Sequence, residues 1–408
     1  MDDTSLTFET RAAQAGGKMA IGDTVSTVGP IAASSTFTYD SVDAVHAALA
    51  SGGEGYAYSR NSNPTVAALE RVLASLEGTE SVVAFGSGMA AMHAAMLSAG
   101  LETGDSVLVA SDLYGVTRSL MMHLQQFGIE HSSVDILNVH EVESALERTG
   151  ARILCFESIS NPLLRVPDVG ELVRIAHRHR ALVIVDNTFA SPYLFRPVDI
   201  GVDLVVHSAT KYVAGHGDVT AGYVAANRSF AKRIQEIRTV IGSVLSPFEA
   251  WLTIRGVKTL PLRMERQCAS AASVANWLQN QHWIERVYYP GLRHGDEKDH
   301  ATRWFGGRYG GMIAFDLRAD EPETLRFMDA LEIITTATSL GDSMSLILYP
   351  KLSSHRTLSP PDRERAGIGD SLLRLSVGLE APDDLIHDLQ RAAGRACITE
   401  AAAASRAP

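Results

Sequence analysis

Short apolar runs recur through the middle of the chain, and polar segments with helical periodicity separate most of them. Unbroken apolar runs of this length are typical of strands that are buried on both faces of a sheet. Because strands that alternate with helices form mainly parallel sheets, this region is predicted to be an α/β domain. The predicted strands are Val82–Phe85, Val107–Ala110, Ile153–Phe156, Leu182–Val185, Leu204–Val206 and Gly222–Ala225.

A strong helix is predicted immediately before the first of these strands. Asn63 is suited to cap its amino end, and Pro64 suits the first helical position. Gly78 is placed to end it. The apolar stripe consists of Val66, Leu69, Val72, Leu73 and Leu76.

The first 62 residues lack regular periodicity and are rich in Gly, Ser and Thr, apart from a predicted short helix at Val42–Ala50. We expect residues 1–62 to form an extended arm that lies on a neighbouring subunit. The α/β domain is predicted to occupy residues 63–257 and a C-terminal domain residues 258–408.

The last third of the chain has a different pattern. A long helical passage is predicted at Pro247–Gln281, and strands are predicted at Gly310–Leu317 and Leu372–Val377. These features indicate a smaller α+β domain. The Ala-rich tail Ala396–Pro408 is expected to fray.

Composition excludes several classes of function. The net charge is −11, which argues against a nucleic-acid partner. No apolar run approaches the roughly 20 residues of a membrane span. The N-terminal residues do not resemble a secretory signal, and three widely separated cysteines suit free thiols. We therefore expect a cytoplasmic protein without a disulfide framework or a metal site.

The segment Asp203–Tyr212 carries the clearest chemical signal. Lys211 directly follows a predicted buried strand, and Ser208 and Thr210 lie beside it. A desolvated lysine can form a Schiff base with a carbonyl, and hydroxyl groups can bind a phosphate. Pyridoxal 5′-phosphate (PLP) carries both an aldehyde and a phosphate, so this segment predicts a PLP site.

Two further segments agree with that prediction. Asp186 ends another apolar run, and a carboxylate there can keep the pyridine nitrogen of PLP protonated. Gly88 and Met89 begin a predicted helix, whose free amides can bind phosphate. All of these residues follow the carboxyl ends of predicted strands, where α/β sheets bind their ligands.

A dinucleotide site is an alternative, because Gly86–Ala91 matches the pattern G-x-G-x-x-A and Asp112 follows the next strand. An NAD-dependent dehydrogenase would, however, leave Ser208, Thr210 and Lys211 without a role. A third possibility is a protein that binds PLP without catalysing a reaction.

Eight segments, taken together and in their order along the chain, resemble the Cys/Met-metabolism PLP-dependent enzymes. This family includes cystathionine γ-synthase, cystathionine γ-lyase, methionine γ-lyase and O-acylhomoserine sulfhydrylases. The resemblance implies a PLP-dependent transferase of fold type I, with a mainly parallel seven-stranded sheet in the large domain and a smaller C-terminal α+β domain. The segments are Tyr58–Thr65, Gly86–Met89, Asp112–Gly115, Ser160–Pro162, Asp186–Thr188, Ser208–Tyr212, Ser339–Gly341 and Arg374–Glu380.

The resemblance also implies roles for individual residues around PLP. Lys211 would bind the cofactor covalently and then move protons, and Asp186 would pair with the pyridine nitrogen. Tyr114 would stack on the ring and act as a general acid or base, and Asn161 would lie near the phenolic oxygen. The phosphate would be bound by Gly88, Met89, Ser208 and Thr210.

Other implied roles concern the substrate and the neighbouring subunit. Arg374, with Ser339, would bind the substrate carboxylate. Tyr58 and Arg60 would reach the cofactor phosphate of a neighbouring subunit. Similar enzymes are homotetramers built as dimers of dimers, so self-association of this kind is expected.

Three positions depart from the family pattern, and we predict that they belong to the substrate pocket. Methionine γ-lyases usually have cysteine two residues after the stacking tyrosine, but this chain has Val116. After Ser-Leu-Gly the family commonly has glycine, a variable residue and glutamate, whereas Asp342, Ser343 and Met344 follow here. We therefore expect altered substrate recognition in a specialised enzyme with intact cofactor machinery.

The predicted reaction is γ-elimination or γ-replacement on a γ-substituted amino acid, through a β,γ-unsaturated ketimine. The substrate can be a homoserine ester, a homocysteine thioether or a sulfonium. A PLP-dependent β-lyase of cystathionine or cysteine is the alternative. The sequence leaves open the leaving group and the choice between elimination and replacement.

Overall fold

The computed structural model describes residues 6–17, 19–21, 23–49, 55–356 and 359–398. The strands are β1 Met19–Ile21, β2 Thr24–Ser26, β3 Ser81–Phe85, β4 Ser106–Ala110, β5 Glu130–Val134, β6 Ile153–Glu157, β7 Leu182–Asp186, β8 Leu204–His207, β9 Gly222–Ala226, β10 Ile284–Tyr288, β11 Met312–Leu317, β12 Thr335–Thr336, β13 Leu346–Leu348 and β14 Leu372–Ser376. The helices are α1 Phe8–Ala13, α2 Val42–Leu49, α3 Pro64–Glu77, α4 Gly88–Ser98, α5 Gly115–Gln125, α6 Val139–Thr149, α7 Val169–Arg178, α8 Ser191–Leu194, α9 Arg228–Ile241, α10 Pro247–Val257, α11 Leu260–Leu278, α12 Asp296–Phe305, α13 Glu321–Asp329, α14 Pro360–Arg365 and α15 Pro382–Arg395.

A seven-stranded sheet forms the centre of the large domain, in the order β3-β9-β8-β7-β6-β4-β5. Strand β9 is antiparallel to both of its neighbours, and the other pairs are parallel. Six strands therefore point the same way, and their carboxyl ends share one edge. The predicted α/β fold with a mainly parallel sheet is confirmed, and every strand predicted for this region is present.

Helices cover both faces of this sheet, which explains the unbroken apolar runs. Alternate residues of one strand enter different cores: Val183 and Val185 pack with the helices on one face, and Ile184 packs on the other. Strand β5 was not predicted, because it lies at the sheet edge and only Val134 of its five residues is buried. An edge strand of this kind has no continuous apolar run.

Helix α3 begins and ends as its sequence predicts. The Oδ1 of Asn63 accepts a hydrogen bond from the N–H of Thr65 at 3.0 Å. Gly78 adopts φ +73° and donates to the main-chain oxygen of Ala74, a conformation that favours glycine. The buried stripe of α3 packs against β3 and α10.

The second sheet has five strands in the order β10-β11-β14-β13-β12 and is antiparallel except for the short pairing of β12 with β13. Its core packs against α11, α13 and α15. The predicted helical passage at Pro247–Gln281 is divided into α10 and α11 at Lys258 and Thr259. This sheet places the middle of β14 beside the edge of the large sheet.

Described parts of the N-terminal arm lie along the large domain. Helix α1 contacts α3, and Arg11 donates to the main-chain oxygen of Ser75. Helix α2 lies where the short helix was predicted, although Ala50 is outside the described residues. Of the tail predicted to fray, residues 399–408 are outside them too. Among the described helices, none is both long and apolar enough to cross a membrane.

Candidate active site

A cavity of about 530 Å³ opens at the carboxyl edge of the large sheet, facing the second sheet. It brings together residues that are far apart in sequence. The predicted site residues that line it are Gly88, Met89, Tyr114, Val116, Asn161, Asp186, Ser208, Thr210, Lys211 and Arg374. The structure thus assembles most of the predicted site at one place.

Lys211 lies in the turn that follows β8. Its Nζ donates a hydrogen bond to Oγ of Ser339 at 3.0 Å, which brings the predicted substrate-binding Ser339 to the cavity. Burial lowers the pKa of Lys211 to about 8, and the positive charge of Arg374 acts in the same direction. A lysine of this kind is neutral, and thus nucleophilic, in a useful fraction near neutral pH.

The amino end of α4 forms a cradle for an anion. Ser87 caps the helix by accepting from the N–H of Ala90 at 3.1 Å. Gly88 packs against Ser208 so closely that a Cβ at residue 88 would lie 2.8 Å from Cβ of Ser208. The free amides and the helix dipole at this end suit a phosphate.

The two predicted phosphate-binding hydroxyl groups differ in their bonding. Oγ1 of Thr210 donates to the main-chain oxygen of Ala221 at 3.1 Å and accepts from its N–H at 2.9 Å. Thr210 therefore holds the turn that carries Lys211. The main-chain N–H of Ser208 donates to Oγ1 of Thr188 at 2.8 Å, which orients Ser208 towards α4.

Two carboxyl groups form the floor of the cavity, Glu157 buried and Asp186 partly buried. Asp186 and Glu157 end adjacent strands and are paired in register. Burial raises the pKa of both groups, and the neighbouring charge of Asp186 raises that of Glu157 further. Within the described residues, no lysine or arginine forms an ion pair with either. A cationic ring nitrogen complements this floor, so the residues present fit PLP.

Glu157 is a candidate site residue that was not predicted from the sequence. Its Oε1 accepts from the N–H of Tyr114, and its Oε2 accepts from the N–H of Asn161, both at 3.0 Å. Glu157 therefore holds the main chain of Tyr114 and Asn161, the two residues that are predicted to lie at the PLP ring. A signal existed in the sequence, because an acid ends the run Ile153–Phe156 just as Asp186 ends Leu182–Val185.

Arg374 lies on the central part of β14 and is 3% exposed. Its Nη1 donates to Oδ1 of Asn161 at 2.8 Å, and its Nη2 donates to the main-chain oxygen of Ser339 at 3.3 Å. Its Nε has no hydrogen-bond partner among the described residues. A buried guanidinium with a free N–H at a cavity suits a carboxylate ligand.

Tyr114 lines the cavity at the start of α5. Burial raises the pKa of its hydroxyl group, while the charge of Arg374 opposes this shift. The phenol is therefore protonated at neutral pH. It can donate a proton to a leaving group or a hydrogen bond to an anion.

Tyr58 and Arg60 do not line the cavity of their own chain. Tyr58 is 45% exposed, and the Arg60 guanidinium lies 5.6 Å from the centroid of its ring. Nη1 of Arg60 donates to the main-chain oxygen of Thr239 at 2.7 Å. The pair is presented at the surface, and its action on another subunit stays a prediction.

Asp342 and Met344 are also absent from the residues that line the cavity. The Oδ1 of Asp342 accepts from the N–H of Ser343 at 2.6 Å. Its Oδ2 lies so close to Gly217 that a Cβ there would be 2.3 Å away. Met344 is 45% exposed. Their predicted role in substrate choice therefore has no contact within this cavity to support it and stays a prediction.

A desolvated lysine, a buried acid floor and a helix amino terminus around one cavity define a PLP-dependent enzyme of fold type I. The family model for "Cys/Met metabolism PLP-dependent enzyme" matches residues 9–393. The chain belongs to this family, and PLP is its cofactor. The predicted family, enzyme class and cofactor are confirmed.

Similar proteins catalyse different reactions of this family. An L-methionine γ-lyase of Pseudomonas putida is 42% identical over 90% of this chain and 92% of its own length. A cystathionine β-lyase of Lactococcus lactis subsp. cremoris is 43% identical over 83% and 88%. The solved structure of a cystathionine γ-synthase from Xanthomonas oryzae pv. oryzae, in complex with aminoacrylate and cysteine, has a TM-score of 0.89 and 34% identity, over 96% of this chain and 98% of that one.

The lowered pKa of Lys211 predicts how cofactor attachment depends on pH. With a pKa of about 8, roughly one Lys211 amine in a hundred is neutral at pH 6 and about half are neutral at pH 8. We expect the rate of covalent attachment of PLP to the cofactor-free protein to rise about 50-fold between these values and then to level off. Stopped-flow absorbance measures this rate.

The control is non-covalent binding of PLP to the Lys211→Ala variant over the same pH range. It separates ionisation of the cofactor from ionisation of the lysine. A rate that climbs steadily to pH 10 without levelling would show that Lys211 has an ordinary pKa, contrary to its burial.

Proposed function

We propose that this enzyme catalyses γ-elimination or γ-replacement on a γ-substituted α-amino acid. The observation that carries the proposal is the presence of two proton-transfer groups, Lys211 and Tyr114, in the cavity that Arg374 also lines. γ-Chemistry requires proton removal at both Cα and Cβ as well as protonation of many leaving groups. A lysine and a tyrosine provide these functions together.

Each side chain has a role that follows from its position. Arg374 binds the substrate carboxylate and, through Asn161, is coupled to the floor of the site. Lys211 accepts the Cα proton, because desolvation keeps its amine a base near neutral pH. It passes this proton on to the bound cofactor, and the neutral amine that results can then accept the Cβ proton. Tyr114 donates a proton to the leaving group. When bound, PLP supplies the electron sink that makes Cα acidic.

The relatives support the proposal and define its alternative. The Pseudomonas putida relative is a γ-lyase, and the Xanthomonas structure is of a γ-synthase, which corresponds to replacement. The Lactococcus relative is a β-lyase, so β-elimination is the second candidate. Val116 lines the cavity beside Tyr114 and contributes to substrate choice. Asp342 and Met344 are proposed to influence it from outside the cavity lining.

Solvent deuterium exchange tests the type of reaction. We expect deuterium to enter both Cα and Cβ of a γ-substituted amino acid that is incubated with the enzyme in D₂O, because both protons pass through exchangeable groups of the protein. Mass spectrometry and proton NMR of recovered substrate and product locate the label. The same amino acid with free PLP provides the background.

Exchange at Cα alone, with pyruvate released from cysteine-type substrates, would instead identify a β-lyase. Incubation with and without an added thiol distinguishes replacement from elimination. A new thioether product shows replacement, and a 2-oxoacid with ammonia shows elimination.

The proposal includes assembly into a homotetramer of two catalytic dimers. Its support is that Tyr58 and Arg60, in the arm of residues 1–62, lie outside their own cavity. Large apolar side chains are also exposed on this single chain, including Val240 at 85% and Leu262 at 74%. Association of subunits would bury such surface.

Residues 63–257 and 258–408 are proposed as the α/β and C-terminal domains, since residue 257 ends α10. We also propose that the enzyme is cytoplasmic. The support is that Cys155, Cys268 and Cys397 are free thiols, two of them buried. Free thiols suit a reducing compartment.

A further inference from the structure

A third cation, Arg356, lines the cavity and has no role in the chemistry described above. Lys211 attaches the cofactor, and Arg374 binds the α-carboxylate. The cavity's two carboxyl groups form its floor, Glu157 buried and Asp186 partly buried. Arg356 is exposed, so it lies on the open side of the cavity.

The segment that carries Arg356 is held against the start of α5. A Cβ on Gly115 would lie 2.7 Å from the main-chain oxygen of Ser354, so glycine permits this close approach. Ser353 and Ser354 line the cavity as well. The charge of Arg356 acts to lower the pKa of the Tyr114 hydroxyl group, the smallest of several contributions to that pKa.

The guanidinium of Arg356 retains most of its hydrogen-bonding capacity. Its contact within the described part of the chain is a long one, from Nη1 to the main-chain oxygen of Ser353 at 3.5 Å. No carboxylate of the described residues forms an ion pair with it. An arginine with free donors beside a substrate cavity is suited to a planar anion.

Other side chains that line the cavity with Arg374 and Arg356 suit an extended, mostly apolar chain. Val116, Leu340 and Leu348 line the cavity, and Ser119 lies among them. A γ-substituent that extends along these side chains can bring its far end to Arg356. A neutral methyl group would gain no electrostatic attraction from that guanidinium, and a sulfonium cation would be repelled by it.

We propose that Arg356 recognises an anionic group at the far end of the γ-substituent, so that the preferred substrate is an amino acid whose γ-substituent ends in a carboxylate. This inference rests on the proposed function and specifies its substrate class. It makes Arg356 a residue for substrate selection, while Arg374 binds the carboxylate that all α-amino acids share.

The test compares two substrates that differ only in their terminal charge: O-succinylhomoserine and the same compound with its terminal carboxylate converted to a primary amide. We expect the wild-type enzyme to prefer the carboxylate by about fivefold in kcat/KM, since a charge-assisted pair at an exposed site has an effect of this size. The difference should lie mainly in KM, because the contact is remote from the reacting atoms.

Arg356→Gln should reduce this preference to about one, and Arg356→Lys should retain part of it. The control is Arg148→Gln, which removes an exposed arginine of α6 and should leave the preference unchanged. The wild-type preference should also weaken as salt is raised, because an exposed ion pair is screened.

The outcomes separate this inference from the proposed function. Equal use of both compounds by the wild-type enzyme, or a preference that persists in Arg356→Gln, would overturn the role of Arg356 while γ-chemistry stands. If the wild-type enzyme turns over no γ-substituted amino acid, the proposed function is wrong. Affinities of the PLP-loaded protein for the two compounds, measured by cofactor absorbance, then decide whether Arg356 recognises the anion.

Discussion

Replacing Lys211 by alanine will lower kcat/KM by at least about a thousandfold, because no other group in the cavity can both attach PLP and transfer protons at Cα. The structure gives two reasons. Lys211 is the lysine that lines the cavity, and its amine is desolvated there. The variant should still fold, since the loss of a partly buried methylene chain at a cavity leaves the sheet intact.

Borohydride reduction and peptide mass spectrometry measure the attachment directly. The wild-type protein should carry its reduced adduct on Lys211, and the Lys211→Ala variant should lose bound PLP on dialysis. The matched control is Lys232→Ala, which changes an exposed lysine of α9 and should retain full activity and colour.

Three other results would contradict the assignment of Lys211 or of the function. An adduct on a different lysine would show that the site assignment is wrong. A nicotinamide cofactor that co-purifies with the protein would favour the dehydrogenase alternative. Bound PLP without turnover of any amino acid by the wild-type protein would indicate a binding protein.

Mixing two impaired variants, one altered at Arg60 and the other at Lys211, will restore part of the activity that each variant has lost. Arg60→Ala should lose about 10- to 100-fold in kcat/KM if Arg60 contacts the phosphate of a neighbouring subunit, because a charge-assisted bond is removed. Lys211→Ala removes the catalytic lysine. A mixed dimer of the two variants has one site with both residues intact.

Random exchange of subunits makes about half of the dimers mixed, and each has one intact site of two, so recovery should approach about a quarter of wild-type activity. Activity is measured after subunit exchange, and sedimentation shows the oligomeric state. Mixing Lys211→Ala with Lys211→Gln is the control, because both variants lack the same residue and should recover nothing. A fully active monomer would contradict the shared site.

Local sequence signals were sufficient to predict the central strands, helix α3 and the positions of two site residues at strand ends. The apolar runs of the central strands, the Asn63 and Gly78 caps of α3 and the positions of Asp186 and Lys211 after strands were all readable from the sequence. Each signal depends on residues within a few positions of one another. Burial on both faces of a parallel sheet requires continuous apolar runs, and this requirement is visible in the chain itself.

The contacts that assemble the site were decided by the tertiary structure. Arg374 meets Asn161 across 213 positions of the chain, and Lys211 meets Ser339 across 128. The roles of Ser339 and Arg374 were expected because the chain resembles a known family, and their spacing alone does not predict them. Glu157 was missed although it ends an apolar run as Asp186 does, because its role depends on contacts that the fold makes: the register of β6 with β7 places it beside Asp186, and its carboxylate accepts from the N–H of Tyr114.

Sequence alone thus determined the class of fold and the cofactor, and it predicts Lys211 as the residue that attaches the cofactor, because each depends on a short and chemically distinctive segment. The substrate end of the cavity was determined only by packing between the two sheets. Arg356 carries no local signal, yet the approach of Ser354 to Gly115 brings it to the cavity. Asp342 and Met344 were singled out by their departure from the family pattern, but the fold places them outside the lining. Which side chains face a cavity between two layers depends on the relative position of those layers, and no short segment of sequence encodes it.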